Sequence, residues 1–151
     1  ALDCYGMEDQ LADEVVIIGG GEVGCETGLH LGNMGKKTTV VEMQTELAPY
    51  ASTTHRGELL YELEKCENVH CLTSARCTSI TKDGIVCSSG SGQEQTIKAG
   101  SVIISVGMKS KKQEAESFRG SAGSFYTIGD CAKVATVENA IKAAYYTAIH
   151  L

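Results

Sequence analysis

The chain has no block of basic residues. Its 13 lysines and arginines are scattered among 19 acids, and the net charge is -6. Neutralising a phosphate backbone or an anionic bilayer needs clustered Lys and Arg, so neither nucleic acid nor membrane is expected as a partner. No apolar run approaches the ~18 residues of a membrane span. The opening ALDCYGMEDQLADE is acidic and lacks the charge pattern of a signal peptide. There is no C-x-x-C pair. The seven cysteines (Cys4, Cys25, Cys66, Cys71, Cys77, Cys87, Cys131) are odd in number and lack zinc-knuckle spacing. They read as reduced thiols serving as small core residues in a cytoplasmic protein. Cys66 and Cys71 are near in sequence, but spacing alone does not give disulfide geometry. Proline is almost missing too: the only one, Pro49, sits in a break at Ala48-Pro49-Tyr50.

What remains is one domain's worth of chain or slightly more, 151 residues, enough to bury roughly 70% of the unfolded surface. EVVII (14–18) is a continuous apolar run of the kind a buried parallel strand needs. Residues 22–35 read as a helix stopped by Gly35. TTVVEM (38–43) is a second strand, and 53–65 an amphipathic helix with Leu59, Leu60 and Leu63 on one side. The period then changes. VHCLTS, ARCTSI, GIVCSS and QTIKAG are short alternating segments parted by turn residues, which predicts a β-meander. SVIISVG (101–107) is again a buried run. KSKKQEAES (109–117) is a charged loop or short helix, SFYTIGD (124–130) a further strand, and 136–150 a final helix. The fold class is α/β: a Rossmann-like parallel sheet with helices and a three-stranded β-meander.

Between the first strand and the first helix stands Gly19-x-Gly21-x-x-Gly24. The first glycine permits the tight turn, the second lets backbone approach a pyrophosphate, and the third lets helix pack on strand. The helix N-terminus then offers amide N–H groups and a positive dipole end to the phosphates. Glu42, 21 positions after Gly21, closes the second strand, near the ~20 expected for an acid that accepts ribose hydroxyls. A 2′-phosphate beside it would place like charges about 4 Å apart, costing roughly 4 kcal/mol at an effective dielectric of 20. Met43 and Gln44 supply no arginine to relieve this, so NADH is expected over NADPH. Lys36 and Lys37 read as a solvated helix end rather than a phosphate clamp. S-adenosylmethionine methyltransferases also pair a glycine loop with a ribose acid, as do regulatory NAD-binding domains without chemistry. The meander and the Gly-Asp segment fit neither well.

With GGGEVGCE, the meander, SVIISVG and SFYTIGD together, the chain resembles the pyridine-nucleotide domain of two-dinucleotide-binding flavoproteins. It is most similar to the C-terminal part of NADH:flavin oxidoreductases of the old yellow enzyme, 2,4-dienoyl-CoA reductase and enoate reductase type. The GGGxxGxE that opens the NAD domain in such proteins is matched from Gly19 to Glu26. Their small-residue-glycine turn corresponds to Ser105-Val106-Gly107, with serine and valine where alanine and threonine are usual. Their FAD-binding Gly-Asp corresponds to Gly129-Asp130. The resemblance implies NAD(H) held by Gly19, Gly21, Glu22, Val23, Gly24, Glu26, Glu42, Met43 and Gly107, with Glu26 near the nicotinamide end. FAD would be bound through Gly129 and Asp130 in a larger protein that supplies the missing FAD-type GxGxxG. FMN and an iron-sulfur cluster belong to such a parent and not to this chain. The expected division is a connector (1–12), the NAD-binding domain (13–109), and a linker with the last strand and helix of a split FAD domain (110–151). The partners are NADH and the remaining FAD and barrel domains, and the chain alone is expected to be inactive.

No side chain stands out for catalysis or metal. Glu26 reads equally as a carboxylate stabilising a helix N-terminus, and Asp130 alternatively as a turn cap. His30, His55, His70 and His150 share no ligand spacing. Cys25 and Cys131 read as packing residues, and Tyr145 and Tyr146 as flavin-covering in the parent or core-filling. The function expected is an NADH-binding domain that presents nicotinamide for hydride transfer to FAD. The alternatives are a free-standing NAD-sensing module and, further off, a methyltransferase.

Overall fold

The computed structural model describes residues 1–90 and 92–151, and the chain divides into two compact units, Ala1–Gly107 and Met108–Leu151. The first begins β1 (Glu14–Ile18), α1 (Glu22–Asn33), β2 (Lys37–Val41), α2 (Thr53–Lys65) and β3 (Val69–Leu72). It continues with β4 (Ala75–Thr81), β5 (Gly84–Ser89), β6 (Glu94–Lys98) and β7 (Ser101–Ile104). Four strands form a parallel sheet in the order β3-β2-β1-β7, and three form an antiparallel meander in the order β4-β5-β6.

The apolar run of β1 is buried on both faces, and its alternation divides the core. Val15 and Ile17 join Leu31 and Val40 in a cluster shared with α1. Val16 joins Val41, Ala75, Ile85 and Cys87 in a cluster shared with the meander. A strand enclosed between two apolar layers has no polar face, which is why EVVII does not alternate. A third cluster, with Cys25, Ala48, Leu59 and Leu63, joins α1 to α2.

Glycines at four-residue spacing let α1 lie close on the sheet. A Cβ on Gly28 would come within 2.7 Å of Val40 Cγ2, and one on Gly32 within 2.4 Å of Val69 Cγ2. Gly35, at φ +86°, ends the helix in the left-handed conformation its position foretold.

Two expected elements differ. The segment 69–72 is not part of the meander: β3 pairs in parallel with β2, Thr38 opposite Val69 through Val41 opposite Leu72. It follows α2 and completes a strand-helix-strand crossover. As an edge strand it is only half covered, so its sequence alternates like a meander strand. The segment 124–128 forms no strand. Among the described residues of the second unit there is no strand to pair with it, and an extended segment without a ladder partner leaves its backbone groups to solvent.

Residues 1–12 do not run free. Cys4 is buried in the first cluster, and the Tyr5 ring lies 5.0 Å from that of His30. Glu8 Oε1 is 3.0 Å from His30 Nε2. Lys36 Nζ donates to the Leu11 carbonyl at 2.9 Å, so this lysine pins the segment rather than standing in solvent. Among the described residues no helix is long and apolar enough to cross a membrane.

The second unit contains α3 (Lys112–Glu116), a 3-10 turn at Gly129–Cys131 and α4 (Val137–Ala148). Thr136 and Asn139 cap α4 reciprocally.

Candidate functional site

Strand order reverses at β1, whose neighbours are β2 on one side and β7 on the other. In open α/β sheets the crevice beyond the C-terminal strand ends at such a reversal is where ligands bind. Here it is a cleft of about 320 Å³. Of the expected residues, Gly19, Gly21, Glu42, Met43 and Gly107 line it.

The turn after β1 is tight for a reason visible atom by atom. Gly19 has φ +106°, and a Cβ there would lie 2.3 Å from the Ser105 carbonyl oxygen. Its amide donates to Val41 O at 2.8 Å, while Ser105 N donates to Ile18 O at 2.8 Å. The turn is therefore tied to the ends of both β2 and β7. Gly24 sits on the helix side of the turn, where a Cβ would fall 1.9 Å from Gly19 O. Gly21 is different: it lies at φ -66° and precedes α1, and a Cβ on it would meet nothing within 4 Å. No side chain caps the first turn of α1, which leaves its amides for an anion.

Glu42 stands at the end of β2 with only 9% of its surface exposed. Its Oε2 accepts from Gly20 N at 2.7 Å and its Oε1 from Gln44 N at 2.8 Å. Each carboxylate oxygen offers about two lone pairs, so both retain capacity for ribose hydroxyls while the backbone fixes the group. Gly20, the glycine to which the motif assigns no task, carries one of those amides. A Cβ there would sit 2.5 Å from Leu47 Cδ2 and 2.8 Å from Glu42 Cβ. No sequence signal separates this glycine from its neighbours, because the partner that excludes a side chain is 22 positions away.

The remaining residues of α1 lie away from the cleft lining. Glu22 and Glu26 both face His55 of α2, whose Nε2 is 3.3 Å from Glu22 Oε1 and 3.0 Å from Glu26 Oε1. One atom from each of the three residues lies within 4.8 Å of the others, a grouping hidden from the histidine spacings because two helices build it. All three side chains are about half exposed. Val23 accepts through its carbonyl from Thr27 Oγ1. Cys25 is fully buried and its thiol donates to Gly20 O at 3.3 Å. Burial first, then the nearby Cys71, Glu42 and Glu26, push its pKa up to about 12. It is a packing thiol rather than a nucleophile.

In the second unit, Gly129 has φ +67°, and Asp130 Oδ1 accepts from Ala135 N at 3.3 Å. That bond ties the Asp130 side chain to the segment that leads into α4. Tyr145 and Tyr146 meet edge to face at 5.7 Å and are exposed.

The chain matches the family model described as pyridine nucleotide-disulphide oxidoreductase over residues 2–144. The chain belongs to that family. It is 34% identical to cinnamate reductase of Clostridium sporogenes, over 95% of this chain and 23% of that protein. Against bilirubin reductase of Mediterraneibacter gnavus the identity is 30%, over 93% of this chain and 22% of the other. Among solved structures, 2-naphthoyl-CoA reductase superposes with a TM-score of 0.88 at 27% identity, over 99% of this chain and 23% of that one. The chain thus spans less than a quarter of the length of these relatives. It is an NAD(P)-binding flavoprotein domain of oxidoreductase type, as the resemblance to enoate-reductase-like proteins implied. The methyltransferase alternative falls with the family assignment.

Proposed function

We propose that this chain binds NADH and presents its nicotinamide within a larger flavin-dependent oxidoreductase. The observation that carries the reading is the pairing of an open Gly21 with a backbone-anchored Glu42 in one cleft. The open space at Gly21 takes the pyrophosphate, with the uncapped first turn of α1, including the Glu22, Val23 and Gly24 amides, behind it. Glu42 accepts the adenosine ribose hydroxyls beside Met43, and Gly107 borders the other wall. Glu26 stands toward the nicotinamide end, held by His55.

NAD(H) fits the residues present: a cradle that a methyl group would fill, and a carboxylate with spare lone pairs. When bound, it supplies the hydride that a flavin accepts. FAD does not fit this chain alone. Asp130 is engaged with Ala135 N, and among the described residues the second unit has no strand. The exposed Val137, Ile141 and Tyr145 of α4 suit a helix covered by the rest of an FAD domain. In that larger protein, residues 110–151 would complete the FAD site through Gly129 and Asp130, and FMN and an iron-sulfur cluster would lie elsewhere. Residues 13–109 are then the NAD-binding domain and 1–12 the connector. The short distance from Gly20 N to Glu42 makes the connection between pyrophosphate turn and ribose acid a rigid one.

Calorimetric titration of the chain with NADH, and with S-adenosylmethionine as a control, tests the reading. NADH should bind and the control should not. Glu42→Gln, which keeps the side-chain shape and removes the charge, should weaken NADH about tenfold, since hydrogen bonds to a charged acceptor contribute about 1.5–3 kcal/mol. NADH binding unaffected by Glu42→Gln would refute the ribose assignment.

A further inference from the structure

Glu42 excludes a 2′-phosphate only while no cation stands near it. The fold supplies one from 34 positions further along the chain. After β3 the backbone is stitched to the segment that follows β2: Ser74 N donates to Gln44 O at 2.8 Å, and Ala75 N to Glu42 O at 2.9 Å. Ala75 points into the core, 2% exposed. By strand alternation Arg76 takes the opposite face, where it is exposed. It lines the same cleft as Glu42.

Beside that cleft lies a recess of about 380 Å³, and Met43, Gln44 and Arg76 belong to the walls of both. The recess is completed by Ser74, Ser88, Ser89 and Gly90, with Ser88 directly opposite Arg76 across the β4-β5 ladder. Among the described residues, Arg76 carries the only charge in the recess and the only positive charge in the cleft. Its guanidinium makes no ion pair or hydrogen bond among the described residues. Arg56, by contrast, is engaged by Glu46 and Leu47 O. A guanidinium with neighbouring hydroxyl and amide donors is the donor set that recognises a phosphate monoester.

We propose that this recess is a subsite for a phosphate on the adenosine 2′-oxygen, with Arg76 as its specificity-determining residue, so that the domain takes NADPH alongside NADH. The inference rests on the nucleotide reading above and deepens it. Glu42 receives the ribose, and an ester on O2′ leaves the cleft past Gln44 into the recess. Arg76 then offsets the repulsion from Glu42. Glu42 alone would reject NADPH by tens-fold. With Arg76 opposite, the two coenzymes should bind within about tenfold of each other.

The test is titration of the chain and of Arg76→Ala and Arg76→Lys with NADH, NADPH, ADP-ribose and 2′-phospho-ADP-ribose, at two salt concentrations. Arg76→Ala should weaken the two 2′-phosphorylated ligands at least tenfold and the other two less than twofold. Arg76→Lys should recover part of the loss, and added salt should weaken the phosphorylated pair more steeply. If NADH binds while NADPH is rejected more than thirtyfold by the unaltered chain, the subsite is overturned and the nucleotide reading stands. The subsite is equally overturned if Arg76→Ala weakens all four ligands alike. If none of the four binds, both readings fall.

Discussion

The glycines of the turn have separable tasks, and two alanine substitutions three positions apart should pull them apart. At Gly21 the backbone is at φ -66° and a Cβ meets no atom within 4 Å. Alanine loses the slight preference for glycine before a helix but restricts the unfolded chain, which stabilises by about 0.4–1 kcal/mol. The net change in stability should be within about 1 kcal/mol. At Gly24 a Cβ would lie 1.9 Å from Gly19 O and 3.1 Å from Gly19 C. Both are backbone atoms of a turn tied to β2 and β7, so helix and turn must part by more than about 1 Å to regain a normal contact. Overpacking costs about 1–3 kcal/mol and sometimes more, and here the upper end applies because no flexible side chain can yield. At an m-value of about 1–3 kcal/mol/M, Gly24→Ala should lower the urea midpoint by about 1–3 M. Gly21→Ala should leave it nearly unchanged. Binding should show the reverse separation: Gly21→Ala fills the proposed pyrophosphate cradle and should abolish NADH binding in a chain that remains folded. Denaturation monitored by circular dichroism and titration with NADH measure both. If Gly21→Ala keeps full affinity, or lowers stability as much as Gly24→Ala, the division of labour is wrong.

Glu42→Ala should also destabilise, by about 2–4 kcal/mol, because it strips the acceptor from the Gly20 and Gln44 amides; Glu42→Gln should cost less, and equal urea midpoints for all three chains would contradict the bonding described. Cys25, fully buried with its pKa pushed to about 12, should resist iodoacetamide at pH 8 in the folded chain while the less buried Cys131 is alkylated, as read by peptide mass mapping; alkylation of both at one rate would refute this. Because its folded pKa lies above the ordinary 9.0, the stability tied to the neutral thiol is present below pH 9 and lost as pH rises through about 12. The His30 ring hydrogen bond holds the Glu8 carboxyl down at about 2. Its contribution is therefore present above about 4.5 and lost as pH falls through 2. Hydrogen exchange in residues 1–12 should accelerate over that range, and in Glu8→Gln the acid dependence should vanish.

What the sequence settled by itself is the unit from Glu14 to Glu42. A buried strand, a glycine turn, a helix with a glycine stop and a second strand follow one another without interruption, so their periodicities and spacing are local facts. The position of Glu42 is simply the summed length of those elements. What only the tertiary structure decided involves partners distant in sequence. VHCL alternates like a meander strand, yet α2 delivers it to the edge of the parallel sheet. SFYTI has strand composition, but a strand exists only with a ladder partner, and among the described residues its unit has none. Gly20 became indispensable because Glu42 and Leu47 close over it. His55 joined Glu22 and Glu26 because α2 packs beside α1. Arg76 reached the cleft because two backbone hydrogen bonds hold the start of β4 against the end of β2. Hydrogen-bond pairing and packing between such segments depend on where the chain returns in space, and no single segment carries that information.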